Sequence, residues 1–145
     1  MREILFKAKR LDNGEWVEGF PYWGEYSGAF ILQNKTYSRR NARTGEISMG
    51  DNIVPIKVDP STVCQYTGLK DKNGKRIFEG DILSYDCGDG DGEPREVHFM
   101  NGRFVVQWAV RGDIDDKPYQ TIRMAKVVGS IHDGEGGQHE GAEHD

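Results

Sequence analysis

Apolar and polar residues alternate along most of this chain in the way that is typical of short β-strands. At the N-terminus, Ile4, Phe6 and Ala8 alternate with residues that include Lys7 and Lys9. Further apolar runs lie at residues 29–32, 53–58, 82–85, 96–99, 103–108 and 124–131. No segment repeats apolar residues at the helical spacing over three turns. The pattern predicts an all-β protein of short strands and tight turns, arranged as a small barrel or roll with one or two long loops.

Turn signals separate these runs. Tight turns with positive φ are favoured by three Asn-Gly pairs: Asn13-Gly14, Asn73-Gly74 and Asn101-Gly102. The first pair predicts an N-terminal hairpin whose second strand covers residues 15–23. Pro21 and Pro55 lie within predicted strands. Because proline has no N–H to donate, each of these strands is expected to be a sheet edge or to be interrupted at the proline.

The charge is unevenly distributed along the chain. The 145 residues carry 19 Lys and Arg against 24 Asp and Glu, a formal net charge of -5. Residues 133–145 hold the whole excess of acids and no Lys or Arg, so the rest of the chain is electrically balanced. A Gly-rich, acidic segment cannot bury enough apolar surface to order itself. The sequence therefore predicts one β domain over residues 1–132 and a disordered acidic tail over residues 133–145.

The N-terminal sequence and the two cysteines indicate the cellular compartment in which the protein is expected to act. The N-terminus lacks the apolar core of a secretory signal, and no apolar run is long enough to span a membrane. Cys64 and Cys87 lack the spacing of a disulfide framework or a zinc site. We expect a protein of the reducing cytoplasm that has two core or half-buried thiols and no association with membranes.

No catalytic constellation can be written from the sequence. Glu79 and Asp81 flank Gly80, and a pair of carboxylates is the catalytic arrangement of glycoside hydrolysis. Their position in a turn favours a structural role, in which Gly80 adopts an unusual backbone angle and Asp81 accepts hydrogen bonds from nearby N–H groups. The sequence predicts no enzyme activity, no cofactor, no small-molecule substrate and no resident metal.

An acidic loop at residues 86–93 places carboxylates at alternate positions, as a calcium-binding loop does. When the calcium loop is aligned from Asp89, Pro94 falls where it requires Gly and Met100 falls where it requires Glu. The residues favour a flexible acidic loop, and weak binding of a divalent cation by carboxylates alone is the alternative.

Two sets of residues are candidates for binding. The aromatic side chains of Trp16, Tyr22 and Trp23 form a candidate surface for a protein partner or for a second copy of the chain. A basic set near Tyr37 comprises Lys35, Arg39, Arg40 and Arg43. It lies in a polar stretch from 34 to 52 that is predicted to be a loop, and it is a candidate anion or nucleic-acid patch.

A central block of the sequence resembles the YopX protein family. The block reads QYTGLKDKNGKRIFEGDIL from Gln65 to Leu83. Residues 1–8 and 128–132 are similar to the family in type and order, whereas the tail after Asp133 departs from its usual ending. The residues that carry the motif, interpreted as structural, are Gln65, Tyr66, Thr67, Gly68, Gly74, Gly80 and Asp81. The resemblance implies an SH3-like barrel with an N-terminal extension.

The same resemblance implies a bacteriophage or prophage protein that acts in the cytoplasm of a bacterial host cell and has no established activity. Combined with the residues above, it predicts a non-enzymatic accessory protein that binds a protein partner or associates with itself. The alternative is a nucleic-acid-associated module that uses the basic set from Lys35 to Arg43.

Overall fold

The structure is a computed structural model, and it describes residues 3–85, 93–115 and 122–134. It confirms the all-β prediction. The strands are β1 Phe6–Lys9, β2 Trp16–Gly24, β3 Gly28–Arg40, β4 Ile47–Lys57, β5 Cys64–Lys70, β6 Arg76–Phe78, β7 Asp81–Tyr85, β8 Arg95–Met100, β9 Arg103–Trp108, β10 Ile114–Asp115 and β11 Ala125–Ser130. Single turns of 3-10 helix at Pro60–Thr62 and Ile122–Met124 precede β5 and β11.

The strands form two antiparallel sheets. The first has six strands in the order β4-β3-β2-β1-β5-β6, and the second has five in the order β10-β9-β8-β7-β11. An isolated bridge between Arg10 and Val58 joins the end of β1 to the residue that follows β4. Neither sheet closes on itself within the described residues, so the barrel expected from the pattern and from the resemblance is not confirmed.

The Asn-Gly turns lie where the sequence predicts them. Asn101 and Gly102 have φ values of 54° and 81°, and Met100 pairs directly with Arg103. Two central residues with positive φ define the turn that best suits the twist of a two-residue hairpin. The pairs at Asn13-Gly14 and Asn73-Gly74 likewise connect β1 to β2 and β5 to β6. Local turn chemistry thus sets three of the strand pairings.

The two prolines occupy places where a missing N–H is tolerated. Val58 donates to the carbonyl of Ala29 (3.1 Å). Hydrogen-bonded and non-hydrogen-bonded pairs alternate along an antiparallel ladder, so the pair of Leu32 and Pro55 is non-hydrogen-bonded and the proline nitrogen faces the open edge of β4. Pro21 is different, because β2 lies inside the sheet. Pro21 pairs with Ile31 of β3. On the other side of β2, β1 pairs only with residues 16–19, so no neighbouring strand lies beside Pro21 there.

Buried side chains form three clusters. The first sheet covers Ala8, Ala29, Ile31 and Val58. The second sheet covers a larger cluster that consists of Ile77, Leu83, Tyr85, Val97, Val106, Ile122, Ala125 and Val127. Between them lies a small cluster of Cys64, Tyr66 and Phe78, which confirms that the first thiol is buried. Ile77 and Phe78 are neighbours in β6 and point into different clusters, so this short strand joins the two cores.

A buried carboxylate fastens the two sheets at the same junction. Asp71 Oδ1 accepts the backbone N–H groups of Asn73 (2.8 Å) and Lys75 (2.9 Å), and Oδ2 accepts that of Val127 in β11 (2.9 Å). Burial by itself would raise the pKa of Asp71, but the three N–H donors outweigh it and hold the pKa below its ordinary value. The charged form is therefore the one that the fold stabilises.

Replacing Asp71 with Asn should destabilise the fold at neutral pH by about 2 kcal/mol, since an amide cannot accept all three N–H groups as a carboxylate does. The folded-state pKa is lowered, so the stabilisation is complete above the unfolded-state value of about 4 and is lost as pH falls through the folded-state value. Urea unfolding from pH 7 to pH 3 should show the difference between wild type and variant shrinking at the acidic end. A difference that does not change with pH would contradict this assignment.

Candidate functional site

Strands β3 and β4 extend beyond the rest of the first sheet. β2 pairs with β3 only as far as Leu32, whereas β3 and β4 continue to pair until Arg40 meets Ile47. Residues 33–40 and 47–54 therefore form a ribbon in which each strand has only the other as a ladder partner among the described residues. We call this ribbon the arm. At about 3.4 Å per residue, it projects for about 27 Å.

The arm corrects the prediction of a long loop between residues 34 and 52. Most of this stretch is β-strand, and the true turn is closed by the N–H of Asn41, which donates to the carbonyl of Glu46 (2.8 Å). The side chain of Asn41 accepts the N–H groups of Arg43 (2.8 Å) and Thr44 (3.1 Å). Since neither face of a two-stranded ribbon is buried in the protein core, the usual apolar alternation is missing from the sequence.

One face of the arm carries apolar side chains. Cross-strand register places Leu32, Pro55, Ile53, Met49 and Ile47 on the same side as Phe20 of β2. The exposed fractions of Ile47, Met49 and Ile53 are 63%, 73% and 71%. We call this surface, with Phe20 and Tyr22 at its root, the apolar face. Its apolar residues along the arm belong to β4, and the β3 residues that pair with them on this face are polar.

The opposite side of the arm, which we call the basic face, has a different chemistry. Lys35, Tyr37 and Arg39 follow one another at alternate positions of β3, opposite Asn52, Gly50 and Ser48 of β4. Arg40 lies on the apolar face by the same alternation, and Arg43 lies in the turn. The structure thus brings two of the four predicted basic residues onto one surface, where they flank an aromatic ring.

The predicted aromatic surface is also divided. Tyr22 and Trp23 are adjacent in β2 and therefore point to opposite sides of the sheet. Trp16 lies at the other end of the strand and packs against the cluster of Cys64, Tyr66 and Phe78. Only Tyr22 belongs to the apolar face, so Trp16, Tyr22 and Trp23 do not form one surface.

Trp16 instead covers a buried ion pair. Lys7 Nζ lies 3.0 Å from Asp81 Oδ1, 4.3 Å from the ring centre of Trp16 and 4.8 Å from that of Phe78. Asp81 Oδ2 accepts the N–H of Phe78 (2.8 Å). Burial raises the pKa of Asp81, although Lys7 and the N–H of Phe78 oppose the shift. Both carboxylate oxygens are engaged within the fold, as the structural interpretation of this turn requires.

Comparison with known proteins decides the family. The YopX protein family matches residues 5–135. The chain belongs to the YopX family. The crystal structure of protein EF1440 from Enterococcus faecalis has a similar fold, with a TM-score of 0.54 and 26% sequence identity. The similarity covers 92% of this chain and 96% of that one. No curated protein matches the chain.

In this YopX protein, the motif residues build the junction between the sheets. The carbonyl of Gln65 accepts the N–H of Glu79 (2.8 Å), Tyr66 packs on Phe78, and Thr67 Oγ1 donates to the carbonyl of Ile77 (2.7 Å). Gly68, Gly74 and Gly80 all have positive φ. The N–H of Gly80 donates to the carbonyl of Val97 in β8 (2.7 Å), and that contact again crosses from one sheet to the other.

Several predicted features of the YopX chain lie outside the described residues. These are Cys87, residues 86–92 of the acidic loop and residues 135–145 of the acidic tail. Asp133, predicted as the first tail residue, accepts the N–H of Ser130 (2.9 Å) and the indole N–H of Trp16 (3.4 Å). The ordered chain therefore extends past residue 132.

Within the described ranges, no group of three or more His, Cys, Asp or Glu is placed to hold a metal ion. Those ranges also contain no helix that is long and apolar enough to cross a membrane.

Sequence reasoning missed the apolar face of this YopX protein. Ile47, Met49 and Ile53 are separated by even numbers of residues, and that spacing places them on one side of a strand. The polar residues between them hid the signal. Gly50 was also missed, because only the structure shows that Tyr37 lies across it.

Replacing Lys7 with Met should destabilise the fold by about 3 kcal/mol, because it leaves the carboxylate of Asp81 buried without its cation. Changing Asp81 to Asn in the same chain removes that buried charge, so the double variant should be more stable than the sum of the single effects predicts. Urea unfolding of the four proteins measures this coupling. Strictly additive effects would mean that the ion pair contributes nothing.

Proposed function

We propose that this YopX-family protein is a non-enzymatic accessory protein, encoded by a phage or prophage, that acts by associating with itself through the arm. The family resemblance supports the phage origin. The geometry of the arm supports self-association, and the proposal depends above all on the exposed apolar face of a two-stranded ribbon.

A ribbon of this kind gains little from its own contacts. A two-stranded hairpin in water is marginally stable, and additional strands or a covered apolar face are needed to stabilise it. Ile47, Met49 and Ile53 each expose more than half of their surface in the monomer. Covering these three side chains would remove apolar area from water at about 25 cal/mol per Å², so the monomer has a physical reason to associate.

The apolar face adjoins an open strand edge. β4 lies at the end of the six-stranded sheet, and its eleven residues include only two charges, Asp51 and Lys57. Val58 is hydrogen-bonded to Ala29, and hydrogen-bonded pairs alternate along the ladder between β3 and β4. The N–H and C=O groups of residues 47, 49, 51 and 53 therefore point away from β3, toward the open edge. The open stretch ends at Lys57, whose carbonyl accepts the N–H of Leu11 (3.2 Å). An edge of this length and composition favours the addition of another strand.

A second copy of β4 suits this edge. If two β4 strands pair in antiparallel orientation about Gly50, Ile47 of each copy lies opposite Ile53 of the other, and Met49 lies opposite Asp51. Directly paired residues share a face, so Ile47 of one copy and Ile53 of the other lie side by side and cover part of each other's apolar surface. A two-fold arrangement of this kind is the commonest form of homo-oligomer.

The proposal is tested with two matched double variants. Met49→Glu with Ile53→Glu adds two charges to the apolar face, whereas Ser48→Glu with Asn52→Glu adds the same two charges to the opposite face of the same strand, across the ladder from Arg39 and Lys35. We expect wild type and the second variant to associate and the first to be monomeric, because a glutamate at position 49 would lie opposite Asp51 of the other copy and like charges directly opposite each other destabilise a strand pair. Light scattering after gel filtration over a range of concentrations measures the mass of each.

A wild-type protein that stays monomeric at every concentration would refute self-association. Equal dissociation of both double variants would show that added charge, rather than the apolar face, controls assembly. Circular dichroism of each variant checks that the β structure is retained.

A further inference from the structure

The basic face of the arm has the composition of a nucleic-acid-binding sheet surface. Lys35, Tyr37 and Arg39 are spaced about 7 Å apart along β3, since alternate residues share a face. Their cross-strand neighbours Asn52, Gly50 and Ser48 bear no charge. The nearby acid Asp51 lies on the apolar face by the same alternation. The two cations are therefore not neutralised by an acid in the ladder pairs of their own face.

The aromatic ring between them extends across the ladder and over Gly50. A Cβ atom built on Gly50 would lie 2.5 Å from the hydroxyl oxygen of Tyr37 and 2.6 Å from Cζ, so the ring occupies the space that a side chain at position 50 would fill. Tyr37 is nevertheless 38% exposed. The outer end of the ring covers the glycine, and the guanidinium carbon of Arg39 lies over the ring, 5.6 Å from its centre. A base that stacks on the exposed part of Tyr37 would therefore lie beside this guanidinium group or take its place.

The basic face continues into a groove at the root of the arm. This groove has a volume of about 570 Å³, and Lys35 lines it together with Arg10, Lys57 and the apolar side chains of Val17 and Val54. Arg10 is paired with Asp12 across 2.8 Å, so it contributes less to the local potential than its formal charge suggests. Lys57 lies on the apolar side by strand alternation, so Lys35 is the cation that the groove shares with the basic face.

From this arrangement we infer that the basic face binds single-stranded nucleic acid, with a base stacked on Tyr37 and phosphates held by Lys35 and Arg39. Unpaired bases stack on aromatic side chains of β-sheet surfaces, and the flanking cations track the backbone. A base within a duplex presents no free face to the ring, so single strands are the preferred form. The inference does not depend on self-association, because it uses the opposite side of the ribbon.

The test is fluorescence anisotropy with labelled twelve-nucleotide dT and rU strands at low salt. Both strands should bind the wild type, and the difference between them shows whether DNA or RNA is preferred. Tyr37→Ala should weaken binding about tenfold through the loss of one stacked base, whereas Tyr37→Phe should retain it. Lys35→Ala with Arg39→Ala should weaken binding and reduce the slope of log affinity against log salt by about 1.4.

Arg40→Ala is the matched control. It removes the same charge from the neighbouring position on the other face, so it should weaken binding clearly less than Arg39→Ala alone, because only Arg39 is placed beside the stacked base. Gly50→Ala should act like Tyr37→Ala, because the new methyl group displaces the ring from the sheet. Circular dichroism of each variant shows whether the β structure of the arm is retained when the Tyr37 ring is removed or displaced.

Three outcomes would overturn the inference. The first is no binding of either strand by the wild type, and the second is an equal loss on Arg39→Ala and Arg40→Ala. The third is wild-type affinity in Tyr37→Ala together with full competition by heparin. That result would leave only a non-specific cationic patch.

Discussion

Two buried carboxylates, ten positions apart in the chain and both within the family block, hold the two sheets together. Asp71 binds backbone N–H groups of its own turn and of β11 in the second sheet. Asp81 binds Lys7 of β1 in the first sheet and the N–H of Phe78. β6 contributes side chains to two separate hydrophobic clusters, so these contacts lie where the two clusters meet. The arm is supported at its root by a sheet whose position depends on this junction.

The predictable part of the fold is the part that rests on local chemistry. Asn-Gly turns and Gly80 require particular backbone angles from particular residues, so the sequence identifies them without any knowledge of packing. The arm could not be found in this way. Strand periodicity is visible only where one face is buried, and the arm exposes both faces, so its residues look like a loop.

The sequence groups the basic residues of the candidate site by their type and proximity, but the structure separates them onto different faces of the arm. Lys35 and Arg39 share a face while Arg40 does not, because side chains alternate along a strand and only the register reveals which residues are grouped. The predicted aromatic surface of Trp16, Tyr22 and Trp23 is also divided, because Tyr22 and Trp23 alternate along β2 and Trp16 packs elsewhere. Trp16 resembles an exposed binding residue in sequence, but the ammonium group of Lys7 lies against its ring and the ring closes the junction.

Pro55 sets a limit on how any further strand can add to the first sheet. Its nitrogen faces the open edge of β4 and cannot donate, so a ladder that reaches this position loses a hydrogen bond there. An incoming strand is thereby confined to the outer half of β4. The proline therefore disfavours the registers in which an added strand slips toward the root of the arm, and it makes that root a poor starting point for an open-ended fibre.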